Sequence, residues 1–319
     1  MSIITTILLF ALGIVLVVKG GDYFVDAASW IAETSGIPKL IVGATIVSFA
    51  TTLPELLVSA LAAIDGKVDI AAGNAVGSVT ANLGLIMGIA IVCMPSVIRR
   101  KDYILKSVLM LGGALLLMLA CQNGVLTLLP CVGLVLIFLT AMGENVFGAR
   151  TAMRLEQPAE QKRPPMKKEV VTNVLKFVFG IAAIIIGARL LVDQGSQIAL
   201  MLGVPERIVG VTVIAVGTSL PELVTTLSAI VKKEVSLSVG NIIGANIIDL
   251  TLILPVCSLL SGGSLPVSIQ SIGIDLPVCL MVGALALLPA LALKRFYRAQ
   301  GFLMLAGYAG YVAYTCVVQ

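Results

Sequence analysis

The chain is a succession of apolar stretches, each roughly 20 residues long, separated by short polar breaks. About ten of them can be drawn, at 3–27, 39–64, 68–95, 103–121, 125–148, 170–198, 206–231, 235–260, 268–292 and 300–317. Each is long enough, as a helix, to cross the ~30 Å hydrocarbon core of a bilayer. The pattern predicts an all-α integral membrane protein of about ten transmembrane helices. The first stretch lacks a basic leader and a small-residue cleavage site, so it reads as a retained helix.

The pattern is written twice. GATIVSFATTLPELLVSALAAIDGKVDIAAGNAVGSVTANLGL begins at Gly43, and GVTVIAVGTSLPELVTTLSAIVKKEVSLSVGNIIGANIIDLTL begins 167 positions later at Gly210, with no gap. Thr51 falls on Thr218, Pro54 on Pro221, Glu55 on Glu222, Asn74 on Asn241, Gly77 on Gly244 and Asn82 on Asp249. The match reaches upstream through Asp26 and Asp193. Self-similarity at a long period marks a duplicated module. The reading divides the chain into a first half, 1–148, a polar linker, 149–169, and a second half, 170–319, with repeats at about 43–88 and 210–255. With five spans in each half, the second copy enters the bilayer from the opposite side, which makes an inverted repeat.

The basic residues orient this arrangement. If the N-terminus lies outside, the cytoplasmic loops hold Lys39, then Arg99, Arg100, Lys101 and Lys106, then the segment 150–168, then Lys232 and Lys233, then Lys294, Arg295 and Arg298. The outer loops hold only Lys67 and Arg207. Positive residues mark the cytoplasmic side, so both termini are expected outside a cell (inner) membrane and the linker inside. The net charge of +4 therefore reports topology.

Composition narrows the chemistry. With 59% hydrophobic and 12% charged residues the chain is no soluble enzyme. There is no His, which removes the commonest zinc ligand and the commonest neutral-pH base. The six Cys are scattered without a CxxC spacing and read as small buried hydrophobes. Nothing implies a cofactor, a nucleic acid or an obligate protein partner.

Each repeat instead places a Pro and a Glu in the middle of a span. Pro54 lacks an N–H and its ring presses on the carbonyl of Ala50, so the helix should break there and free carbonyl oxygens; Pro221 does the same to Gly217. Glu55 and Glu222 at mid-span cost about 2.5–3.5 kcal/mol each, which a mere kink does not explain. Thr51 is four residues before Glu55 and Thr218 four before Glu222, on one helix face, with Thr52 and Ser219 beside them. The following helix adds Ser78 and Asn82, matched by Ala245 and Asp249. Gly73, Gly77, Gly240 and Gly244 suit close helix packing. Asn74 and Asn241 are open between an interhelical hydrogen bond and a ligand role. Folded about an in-plane axis, the patches would meet near the midplane as a set of oxygen donors suited to hard cations. A cation site between repeats within a bilayer is a transporter's site.

The pair ATTLPE (50–55) and GTSLPE (217–222), with GNAVGSVTAN (73–82) and GNIIGANIID (240–249), resembles the two alpha-repeats of the calcium/cation antiporter superfamily, and within it the prokaryotic sodium/calcium exchangers. The resemblance covers nearly the whole chain. It implies a calcium site on Glu55 and Glu222 with the carbonyls of Thr51 and Thr218. It implies sodium sites on the same glutamates with Thr51, Thr52, Ser78, Thr218 and Ser219, completed by the carbonyls of Ser48 and Ala215. Asn82 and Asp249 match the polar pair at the centre. The implied activity is calcium exchange for sodium by alternating access in a lipid bilayer.

Three positions depart from the family pattern. ATT stands for the usual GTS, which keeps both hydroxyls. Val79 stands where Asn is usual, and Ala245 where sodium-driven members often carry Ser. The missing hydroxyl leaves open a proton- or potassium-coupled exchanger. A passive channel is disfavoured because pore rings of carboxylates come from symmetric subunits rather than an inverted repeat. An aspartyl protease would need two facing aspartates, whereas Asp249 is matched by Asn82.

Overall fold

The computed structural model describes residues 3–155, 166–202, 217 and 219–318. These are almost wholly helical. In chain order they form α1 (Ile3–Ser35), α2 (Lys39–Thr51), α3 (Leu53–Ile64), α4 (Val68–Cys93), α5 (Arg100–Ala120), β1 (Val125–Thr127), α6 (Leu128–Leu155), α7 (Lys167–Met201), α8 (Leu220–Val231), α9 (Val235–Leu260), β2 (Ser264–Pro266), α10 (Ser271–Leu293) and α11 (Arg298–Val318). Among the described residues seven helices are long and apolar enough to cross a membrane, or eight with α2 and α3 as one bent span. α1, α6 and α7 run past the ends expected from hydropathy alone, and near the end of α1 Glu33 pairs with Lys39 of α2.

The break between α2 and α3 falls where the proline chemistry puts it. The two helices are bent by 45°, and Thr52 at the joint has φ −84° and ψ −1°. Ser219 repeats this conformation, φ −84° and ψ 4°, immediately before α8. In each case Pro is at the second residue of the new helix, where a missing N–H costs little.

Close backbone approach positions the broken helices. α9 crosses α2 through Gly240 and Gly43, and a Cβ on either would collide with the other helix's backbone carbonyls, those of Leu40 and Leu237. The packing role expected for Gly240 and Gly244 is therefore observed. Gly73 and Gly77 meet no described atom within 4 Å; the segment that the repeat would set against them, 207–211, lies outside the described residues.

The basic loops gather at one end of the bundle. Lys39 pairs with Glu33 (2.9 Å) and Glu234 (2.6 Å), and a cleft of about 580 Å³ beside them is lined by Arg99, Asp102 and Lys233. Val97 bridges Arg295 at this end, and the Ile98 amide donates to the Lys294 carbonyl at 2.9 Å. β1 and β2 form an antiparallel pair, Val125 opposite Pro266, at the other end of α5 and α9. Lys106 is a correction. It belongs to no loop but lies inside α5, buried, because Glu144 and Asn145 on α6 supply partners that make burial of an ammonium tolerable. Most of the linker, 156–165, lies outside the described residues. Of the cysteines, Cys121, Cys131, Cys257 and Cys279 are buried free thiols as expected, while Cys93 is exposed.

Candidate cation site

The site is built where α2 ends and α3 and α8 begin. Glu55 and Glu222 stand in the first turns of α3 and α8, and Asp249 lies within α9. All three are at most 1% exposed. Glu55 lies within electrostatic reach of both Glu222 and Asp249. Neither oxygen of Glu55 or Asp249, nor Oε2 of Glu222, has a hydrogen-bond partner among the described residues. Buried carboxylates in this condition are costly unless they meet a cation or take a proton.

The two repeats interlock here. Thr52 Oγ1 donates to Glu222 Oε1 at 3.3 Å, so a hydroxyl of the first repeat reaches the carboxylate of the second. Thr51 Oγ1 lies 3.2 Å from Asn241 Oδ1, again across the repeats, and 3.3 Å from the Ser48 carbonyl. Asn74 Nδ2 donates to Ser59 Oγ at 2.9 Å and to the Glu55 carbonyl at 3.4 Å. Both asparagines thus make the interhelical bonds that were one of their two readings. Ser48, Thr51, Thr52, Ser78, Asn82 and Ser219 are all buried. Thr218 and Ala215 lie outside the described residues.

Asn82 and Asp249 share a feature that composition does not reveal. Each opens a stretch of wider π-type turn inside its helix, Asn82–Met87 in α4 and Asp249–Ile253 in α9. Such turns release backbone carbonyls and often mark functional positions. Asn82 Nδ2 donates to Asn246 Oδ1 at 3.1 Å. Asn246 occupies the repeat position of Val79, so the polar group absent from α4 at that point is present in α9. Ala245 is fully buried, and no hydroxyl replaces it on that turn.

Among the described residues no group of three Asp, Glu, Cys or His side chains is arranged to hold a metal. The carboxylates come from three helices, α3, α8 and α9, with the Thr52 hydroxyl on Glu222 and Thr51 beside Asn241. A cation bound here would be held by hydroxyl, amide and backbone oxygens as much as by carboxylates, the mixed oxygen set that calcium accepts.

The family model described as "Sodium/calcium exchanger protein" matches residues 5–143 and 172–317. The chain belongs to this sodium/calcium exchanger family, and it is a membrane protein. It is 35% identical to inner membrane protein YrbG of Escherichia coli K12 over 81% of this chain and 80% of that one. It is 32% identical to sodium/calcium exchanger MaX1 of Methanosarcina acetivorans, over 88% and 90%. A solved structure of the sodium-calcium exchanger NCX_Mj, soaked with 2.5 mM Na+ and 10 mM Sr2+, superposes with a TM-score of 0.83 at 28% identity, covering 98% of this chain and 99% of that one.

Proposed function

We propose that this protein is a secondary active antiporter that exchanges calcium for sodium across the cell (inner) membrane. Two inverted five-helix halves, 1–148 and 170–319, joined by the cytoplasmic linker 149–169, expose one shared site alternately to the two sides. The observation that carries this reading is the Thr52–Glu222 bond between buried oxygen groups of opposite repeats. Calcium binds between Glu55 and Glu222 with the carbonyls of Thr51 and Thr218. Sodium ions use the same glutamates with Thr51, Thr52, Ser78, Thr218 and Ser219 and the carbonyls of Ser48 and Ala215, while Asn82 and Asp249 hold the centre. Because the ions share charge-limited ligands, either displaces the other, and exchange follows without a separate coupling device. The gathering of Lys39, Arg99, Lys233 and Arg295 at one end supports a cytoplasmic face there and both termini outside.

A second reading, coupling to protons or potassium, is favoured by the buried Ala245. Calcium-45 uptake into voltage-clamped proteoliposomes loaded with sodium, potassium or acid separates the two. Uptake confined to sodium-loaded vesicles is expected, and uptake that follows potassium or protons would overturn the coupling ion. In the same assay Lys162→Ala in the linker changes the rate by less than about twofold, because a single charge in a polar stretch of sequence outside both repeats is largely screened by salt.

A further inference from the structure

The buried ammonium of Lys106 leads to the cation site through two contacts. Its Nζ meets Glu144 Oε2 and Asn145 Oδ1 on α6. An ammonium can only donate, so it claims the oxygen of the Asn145 amide and turns the nitrogen away. That nitrogen, Nδ2, donates to the carbonyl of Ala44 on α2 at 3.4 Å. Glu144 balances the charge, so the cluster is neutral as a whole.

Ala44 lies in a π-type turn, Gly43–Val47, and the Ser48 amide closing that turn donates to the Gly43 and Thr45 carbonyls. That amide passes over the Ala44 carbonyl between them, and the Asn145 amide supplies this buried carbonyl with a donor from another helix. Its other side is confined by α9, where a Cβ on Gly244 would come within 2.8 Å of the Ala44 oxygen and 2.6 Å of Ser48 Oγ. The wide turn is therefore held from α6 on one side and α9 on the other. Ser48 follows it by one residue, and Thr51 and Thr52 by one further turn. Any change in its register moves their oxygens.

We propose that Asn145, oriented by Lys106 and Glu144, is a positioning residue for the cation site and fixes the wide turn from which Ser48, Thr51 and Thr52 present their oxygens. The inference rests on the reading of that site as the place where calcium and sodium bind. It assigns a role in ion affinity to α5 and α6, which lie outside both the sequence motifs and the set of ligands.

The test uses the purified full chain in proteoliposomes, with sodium-driven calcium-45 uptake read as half-saturating calcium and maximal rate, and melting temperature measured in detergent. Asn145→Asp keeps an acceptor for Lys106 and nearly the same volume, but presents an oxygen where Ala44 needs a donor. Half-saturating calcium is expected to rise roughly fivefold, the worth of one hydrogen bond. Lys106→Met raises it likewise, and Lys106→Arg, which still donates to both partners, brings it back. If Asn145→Asp is not recovered folded, Asn145→Ser, which restores a neutral side chain too short to reach Ala44, must show the same rise. Unchanged half-saturation in the folded variants, or a fall in maximal rate and melting temperature alone, would overturn the proposal. Glu222→Gln run alongside separates the two levels. Normal transport by that variant would sink the site reading and the inference with it, whereas a dead Glu222→Gln beside an unaffected Asn145→Asp would sink the positioning role only.

Discussion

Glu222→Gln and Glu55→Gln each bring calcium uptake down to the background of protein-free vesicles while the protein remains folded. Gln has nearly the shape of Glu but no charge, and a hard divalent cation that loses a carboxylate from a buried site loses its main source of neutralisation. The effect on stability runs the other way. Glu55 is buried with both oxygens unpartnered among the described residues, so removing its charge relieves a penalty. The melting temperature without calcium is therefore at least that of the parent. What disappears is stabilisation by the ion, which at a hundredfold excess over Kd amounts to about 2.7 kcal/mol for the parent and to nothing for the variants. Thermal unfolding with and without calcium reads both effects. A variant that melts early and is inactive would point to a structural glutamate instead.

Gly240→Ala is the opposite kind of change and is expected to cost the folded state itself. A Cβ at Gly240 would collide with the Leu40 carbonyl, and the backbone amide of Ala44 is also within 3.1 Å. Both obstacles are backbone, so no rotamer change relieves them. Overpacking where side chains can yield costs about 1–3 kcal/mol, and here α2 and α9 must move apart. Gly112→Ala in α5 is the matched control, since a Cβ there meets nothing within 4 Å. The gain in helix propensity, up to about 1 kcal/mol, is the same for both substitutions. Folded yield and melting temperature in detergent should fall for Gly240→Ala and hold or rise for Gly112→Ala. Equal behaviour of the two would show that the α2–α9 crossing is looser than described.

Much of this site was legible in the chain before any coordinates, and the reasons are specific. Pro54 and Glu55 in an apolar run violate the rules of a lipid-exposed helix together, and the second copy at Pro221 and Glu222 rules out accident. The bend at Thr52 and the burial of both glutamates follow from those violations. The wide turns at Gly43, Asn82 and Asp249 were not legible, because they change the hydrogen-bond register without altering the period of apolar residues enough to notice. Lys106 was misplaced for a related reason. It stands a few residues after Arg99, Arg100 and Lys101, and a hydropathy boundary cannot tell the last charge of a loop from the first buried charge of a helix. Only its partners on α6, distant in sequence, decide the matter.

The central claim is that calcium and sodium compete for one set of ligands drawn from both repeats. Equilibrium binding of calcium-45 to the purified protein at increasing sodium tests it directly. The account predicts that sodium raises the apparent Kd for calcium without reducing the number of sites, and that Glu222→Gln abolishes the binding altogether. Calcium binding that is indifferent to sodium, or that survives Glu222→Gln undiminished, would contradict it.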